Sequence, residues 1–295
     1  MSDWPLPENT PTTSDKVRDA PNEVNHPMNA TQQCAGPPSA QGAVVRFSGR
    51  RGRYFQGMSA LLLAIVFAGF SKTFFLRPFF QVPPIAPHVY VHGLFMTAWF
   101  ALLVVQTSLV AAHRIDLHRR LGVGGALLAV GVASLSVLTV LGLPARFKAY
   151  PVLNGAHVPA TLMIQIIWGD FADIALFCVL VATAVWLRHR PEAHKRLLLL
   201  ASIAMIGPAI GRCIAFLTLW QPTSSVQVAM RALLMVVAVA AFALPLTLVV
   251  HDVHSERRLH PATLWGVAAY FGTSVGFQFV IASTAFGKAL VIGLE

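Results

Sequence analysis

The sequence predicts an all-α bundle of about seven transmembrane helices, and three observations support this prediction. First, 56% of the 295 residues are hydrophobic and only 12% are charged, whereas a soluble domain has about 25% charged residues. Second, the apolar residues form stretches of the roughly 20 residues that a helix needs to cross a bilayer. Third, apolar and polar residues do not alternate along these stretches as they do in the strands of a membrane β-barrel. Helices then remain as the structure that satisfies the backbone hydrogen-bonding groups within hydrocarbon.

The chain divides into a polar N-terminal segment and an apolar remainder. Residues 1–45 are rich in Pro, Asn, Thr and Ser and lack an apolar period, which predicts a disordered cytoplasmic tail. No apolar stretch follows a basic start there, so the segment lacks the pattern of a secretory signal. Residues 46–295 form the predicted transmembrane domain. Its seven predicted spans cover roughly residues 56–76, 88–111, 121–143, 163–187, 195–219, 227–250 and 262–284.

The basic residues predict the orientation and the surroundings of the chain. Most Lys and Arg residues near span ends fall on the side of the N-terminus, which predicts N-inside and C-outside in a bacterial inner membrane. The formal net charge of +10 would suggest nucleic acid as the partner of a soluble protein. Here the charges lie at span ends, so we expect anionic lipid headgroups as partners and no nucleic acid.

Histidines accompany the basic residues at the inner ends of the odd-numbered spans. His118 opens the third span, with Asp116 as its expected N-cap, and His194 opens the fifth, with Pro191 in its first turn. The positive end of a helix dipole favours neutral imidazole, the form that binds metal ions and haem iron. His118 and His194 are therefore candidate ligands of haem b or a metal ion. The alternative is that they anchor helix ends at the headgroups.

Charged residues also lie in the outer half of the predicted spans. Asp170 and Asp173 share one face of the fourth span, Arg212 lies at similar depth in the fifth, and Arg231 lies near the start of the sixth. A charge within a span costs about 2.5–3.5 kcal/mol and usually faces a partner inside the bundle. We therefore expect Asp170 or Asp173 to pair with Arg212. The pair either belongs to a polar site for a proton, metal ion, quinol or small ligand, or is a structural ion pair.

His92, near the outer start of the second span, is a third candidate ligand. His92, Met96 and Trp99 share one helical stripe at i, i+4 and i+7. Histidine and methionine together are ligands of haem and copper, although such a stripe is also typical of helix packing. His92 and His118 are expected on opposite sides of the bilayer, whereas His118 and His194 have matching depth.

The sequence contains none of the common catalytic motifs. A GxGxxG motif after a strand, a P-loop, HExxH and GxSxG are all absent, so no catalytic residue is predicted and enzyme activity stays open. Three functions remain open. The first is a redox-linked or haem- or metal-binding membrane protein, the second is a small-solute or ion/proton transporter, and the third is a membrane sensor or interaction protein.

Several short motifs resemble those of a widespread bacterial family of seven-span membrane proteins without an assigned activity. They are Phe67–Phe70, His92–Gly93 with Trp99 and Gln106, Leu117–Gly122, Arg190–Leu197, Gly207–Arg212 and His260–Gly266. The resemblance implies the seven-span fold and emphasises His92, His118, His194 and Arg212, but it implies no activity. Family members often have His-x-His-Gly at the start of the second span, where this chain has Tyr90 in place of the first histidine. A looser similarity to b-type cytochrome membrane proteins rests on the histidines at span ends.

Overall fold

The computed structural model describes five main ranges of the chain. They are residues 48–150, 152–153, 156–157, 160–218 and 243–277, with the isolated positions 225, 228, 232, 283–285 and 288–289. The predicted tail, Arg231 and most of the predicted sixth span lie outside the described residues.

The described elements are helical apart from one short β-ladder. The α-helices are α1 (Ser48–Phe70), α2 (Pro87–Ala111), α3 (Ile115–Leu141), α4 (Leu143–Ala149), α5 (Ala160–Trp186), α6 (Pro191–Ala204), α7 (Gly207–Thr218), α8 (Leu244–Glu256) and α9 (Pro261–Val275). A π-helical turn, Ser71–Phe75, continues α1, and the 3₁₀ turn Arg77–Phe79 follows it. The two-residue strands β1 (Val152–Leu153) and β2 (Ala156–His157) pair antiparallel before α5.

Among the described residues, four helical segments are long and apolar enough to cross a membrane. They are Gly52–Phe75, α2, α3 and α5, and the bent pair α6–α7 brings the number to five if it counts as one span. The all-helical, membrane-type architecture that the sequence predicts is thereby supported. The third predicted span begins earlier than expected, at Ile115. Its N-cap is Arg114, and Asp116 lies in the first turn, so the prediction of Asp116 as the N-cap is wrong.

The predicted fifth span is not one continuous helix. Helix α6 ends at Ala204 and α7 begins at Gly207, with a 45° bend between them. Pro208 has no backbone N–H and a fixed φ, so it suits the first turn of a new helix and not the middle of an old one. Pro191 occupies the first turn of α6, as the sequence predicts. The break places Arg212 on a short helix of its own.

Two close contacts fasten the helices around a shared apolar core. A Cβ added at Gly69 would lie 2.3 Å from the backbone oxygen of Ala209, so only glycine allows α1 to approach α7 this closely. The indole Nε1 of Trp99 donates a 3.1 Å hydrogen bond to Oγ of Ser202 and links α2 to α6. Trp99 is buried, and its ring meets Phe177 edge to face. Its role in the predicted stripe is therefore packing.

The opposite faces of the helices carry exposed apolar side chains. Leu127 and Val130 of α3 are 71% and 65% exposed, and Trp186 at the end of α5 is 78% exposed. A soluble monomer rarely shows apolar surface of this extent, whereas acyl chains cover it in a bilayer. The packing of α3 therefore agrees with the membrane assignment from helix length and composition.

Candidate functional site

Helices α2, α5 and α7 bring together four of the residues that the sequence singles out. We define the α2–α5–α7 cluster as His92, Asp170, Asp173 and Arg212. Arg212 interacts electrostatically with Asp170 of α5 and with His92 of α2. Asp173 interacts in turn with Asp170, one helical turn away. Three helices therefore contribute opposite charges and an imidazole to one region of the bundle.

Among the described residues, the guanidinium of Arg212 contacts a carbonyl of its own helix and an aromatic ring of α1. Its Nη1 donates a 3.1 Å hydrogen bond to the carbonyl of Pro208, and the group lies over the ring of Phe70, 4.4 Å from the centroid. Within the described residues, no hydrogen bond and no ion pair within 4.0 Å joins Arg212 to Asp170 or Asp173. The expected pair is thus a longer-range interaction. Arg212 is exposed, and of its five N–H donors the described residues satisfy one, through the carbonyl of Pro208.

The two carboxylates of the cluster are half-buried and lie beside the helix break. A Cβ added at Gly207 would lie 3.5 Å from Oδ2 of Asp173, so this carboxylate is next to the first residue of α7. Tyr270 of α9 also interacts electrostatically with Asp173. No protein donor to Asp170 or Asp173 is found in the part of the chain that the structure describes. Their oxygens are therefore free to accept a bond from a ligand, a proton or water.

His92 has an unsatisfied ring nitrogen. Its Nδ1 is buried and has no hydrogen-bond partner among the described residues. Buried polar atoms without a partner are rare, so this nitrogen indicates a place for water or a ligand. His88 interacts electrostatically with His92, and its Nε2 lies 3.6 Å from a Cβ built on Gly142. His88 is therefore near both His92 and the junction of α3 with α4.

The structure also brings His118 and His194 together. The two imidazoles interact electrostatically, and Nδ1 of His194 is 2.8 Å from the carbonyl oxygen of Ala184. A carbonyl can only accept, so Nδ1 donates this hydrogen bond. Nδ1 of His118 and Oε1 of Gln106 are buried without partners in the described ranges. These ranges hold no group of three or more His, Cys, Asp or Glu that could bind a metal ion.

A buried charge network joins α6, α8 and α9. We define the α6–α8–α9 network as the fully buried Arg196 with Glu192, Asp252, Glu256 and Thr263. Nη2 of Arg196 donates 2.7 Å hydrogen bonds to both Asp252 and Glu256. Its Nη1 donates to the carbonyl of Glu192 at 2.9 Å. The guanidinium thus bonds to acceptors of three acidic residues on two helices.

Asp252 is the acceptor at the centre of this network. Besides Arg196, its oxygens accept from Oγ1 of Thr263 and from the backbone N–H of His260, the latter at 3.2 Å. Burial alone would raise the pKa of Asp252, but the hydrogen bonds from Arg196 and Thr263 outweigh it. The pKa of Asp252 therefore lies below its usual range, and the carboxylate is ionised at neutral pH.

Sequence reasoning missed this network. Arg196 was expected to be one of several basic residues at a headgroup surface, and Asp252 was given no role. One signal was present, since Glu192 and Arg196 are four residues apart, and so are Asp252 and Glu256. Neither stretch of local sequence indicates that these faces of α6 and α8 contact each other.

Comparisons with protein-family models, curated proteins and solved structures find no match for this chain. The resemblance to a seven-span family therefore stays a prediction. The described residues define the class: a mainly helical protein in which four or five of the described helices could span a membrane, by length and composition.

Proposed function

We propose that this chain is a multi-pass carrier of a small polar solute, an ion or protons in the bacterial inner membrane, with the α2–α5–α7 cluster as its binding site. The supporting observation is that Asp170, Asp173 and Arg212 lie together at the α6–α7 break without a direct ion pair. In a permanent structural ion pair, the carboxylate and the guanidinium would bind each other and would not be available to a ligand. Charged groups that lie near each other without direct hydrogen bonds can bind a ligand instead.

The helix break supports the same proposal. Many secondary transporters bind their substrate where a membrane helix is discontinuous, because half-helix ends present unpaired backbone groups and partial charges there. Here Asp173 lies beside Gly207, the first residue of α7. Arg212 lies on α7 itself, and a tilt of this short helix would move the guanidinium relative to both carboxylates.

Proton transfer through the cluster is tested in sealed vesicles. We would reconstitute the purified protein, trap a pH-sensitive dye inside, and impose a K⁺ diffusion potential with valinomycin. The expected result is proton entry above that of protein-free vesicles, lost in Asp173→Asn and kept in Asp116→Asn. Asp116 is the control because it is an acid on α3 outside the cluster.

If no proton entry is observed, uptake of other ions and of small solutes is measured in the same vesicles. Equal activity of Asp173→Asn and the unmodified protein in every assay contradicts the proposal.

The proposed topology is seven spans, with the N-terminus inside and the C-terminus outside. It adds the predicted sixth span, 227–250, and a seventh that contains α9 to the helices described above. Cys34 in the predicted tail reports on this directly after Cys178 and Cys213 are replaced by serine. A membrane-impermeant maleimide should label Cys34 only after the inner membrane is permeabilised. Labelling of intact spheroplasts refutes the orientation.

Haem or metal binding is the second candidate function. It is favoured by the electrostatic interaction of His118 with His194 and by Nδ1 of His118, which is buried without a hydrogen-bond partner among the described residues. Two imidazoles at one depth are the ligand set of a bis-histidine haem, whereas most metal-ion sites need more donors. The test is an absorption spectrum with metal analysis of the purified protein and of His118→Ala and His194→Ala. A colourless, metal-free protein, expressed with adequate haem supply, refutes this candidate.

A further inference from the structure

A groove between α5, α6 and α9 opens on the apolar surface of the bundle. Its volume is about 720 Å³, within the range of about 300–1,000 Å³ typical of small-ligand pockets. Side chains such as Val179, Leu197 and Ala269 line most of it, and Trp265, 72% exposed, forms part of its wall. The α5–α6–α9 groove is thus a mainly apolar cavity with enough volume to hold part of an acyl chain.

One end of the groove is polar and carries an unused positive charge. Arg190, Glu192 and His260 lie there, at the starts of α6 and α9. Glu192 is already paired, because its carboxylate accepts from Lys195 at 2.7 Å. His260 is also engaged, because its Nδ1 accepts the backbone N–H of Ala262 at 3.1 Å.

Arg190 differs from these neighbours. Its side chain is exposed, and no hydrogen bond or ion pair to it is found among the described residues. Helices α6 and α9 both begin at this end, and the partial positive charge of a helix start adds to that of the guanidinium. The groove therefore combines an apolar body with an arginine at one end that has no partner among the described residues, which matches an acyl chain with a negative headgroup.

We propose that the α5–α6–α9 groove binds one anionic phospholipid, with its phosphate at Arg190 and one acyl chain along α9 past Trp265. Basic residues near a membrane surface attract anionic headgroups, and aromatic rings such as that of Trp265 sit at the headgroup level. A zwitterionic lipid would offer the same chain but no net charge to Arg190. The preference for anionic lipid, and not lipid binding in general, is the property that the groove confers.

Native mass spectrometry of the full chain tests this proposal. The protein is delipidated in detergent and titrated with a mixture of phosphatidylglycerol and phosphatidylcholine of equal chain length. The expected result is one retained phosphatidylglycerol per chain. Arg190→Gln should lower this preference about fivefold, the effect expected for the loss of one basic residue at a headgroup. Arg188→Gln is the matched control, since Arg188 is exposed in the same loop but does not line the groove.

A second variant tests the acyl-chain part of the proposal. Ala269→Phe places a ring in the groove without touching the polar end, and it should reduce retention of phosphatidylglycerol while leaving the thermal midpoint in detergent unchanged. Displacement of the lipid by inorganic phosphate alone would overturn the role of the chain. Equal retention of both lipids, an unchanged preference in Arg190→Gln, or a lipid-free dimer that buries the groove would each overturn the proposal.

Discussion

Asp252→Asn is the substitution to which the α6–α8–α9 network should be most sensitive. It keeps the size of the side chain and the acceptor for Thr263, but it removes the charge opposite the fully buried Arg196. Removing one partner of a buried ion pair typically costs 3–5 kcal/mol, because the remaining charge stays desolvated. Glu256 and Glu192 still contact Arg196, so we expect the lower end of this range, about 3 kcal/mol.

The assay is thermal unfolding in detergent, followed by intrinsic fluorescence. A loss of about 3 kcal/mol corresponds to a midpoint lower by about 6–12 °C for a chain of this size. Lys195→Gln is the control, because the Lys195–Glu192 pair has the same 2.7 Å distance but side chains that are 29% and 46% exposed. An exposed pair contributes about 0–1 kcal/mol, so its midpoint should change by only a few degrees.

A double variant separates the ion pair from other effects of the substitutions. Arg196→Met alone should also destabilise, because it leaves Asp252 buried without its cation. The combination of Arg196→Met and Asp252→Asn should cost less than the sum of the two single changes, since both remove the same interaction. An Asp252→Asn midpoint no lower than that of Lys195→Gln, or strictly additive single changes, would refute the importance of this pair.

Three further predictions concern pH and packing. The pKa of Asp252 is lower in the folded chain than its unfolded value of about 3.9, so its contribution is present above this pH and lost as pH falls through the folded pKa. Melts between pH 3 and 7 should show the gap between the unmodified protein and Asp252→Asn narrowing only at the acid end. Gly69→Ala should lower the midpoint by an amount equivalent to about 1–3 kcal/mol, because its Cβ would lie 2.3 Å from a backbone oxygen of α7. Gly124→Ala, with nothing within 4 Å, should be neutral or slightly stabilising in the same melts. Trp99→Phe should cost about 1–3 kcal/mol, because it removes the hydrogen bond to Ser202 and part of a buried ring, and melts of Ser202→Ala should separate the two losses.

The limits of the apolar helices could largely be predicted from the local sequence. The predicted spans 88–111 and 163–187 correspond closely to α2 and α5, because the length and hydropathy of a span are properties of one continuous segment. The predicted span 195–219 corresponds instead to two helices, α6 and α7, with a bend between them. Its mean hydropathy conceals the change at Gly207 and Pro208, a pair that marks breaks in many helices.

For the candidate site, the sequence indicated the residues but not the contacts between them. Asp170, Asp173, Arg212 and His92 were recognisable because charged and imidazole groups are costly within a span and stand out in an apolar stretch. Their matching depth predicted that they meet. The direct ion pair expected between them is absent, because the start of α7 and the ring of Phe70 position the guanidinium elsewhere.

By itself, the sequence determined the class of protein, the approximate limits of its long helices and the polar residues that those helices must accommodate. These properties depend on composition and on distance along the chain. Only the tertiary structure decided which charges are partners. Arg196 and Asp252 are 56 residues apart, and nothing near either one distinguishes a fully buried arginine from a headgroup anchor. That difference arises when α6, α8 and α9 pack together and exclude water, because the side chains are then available only to each other.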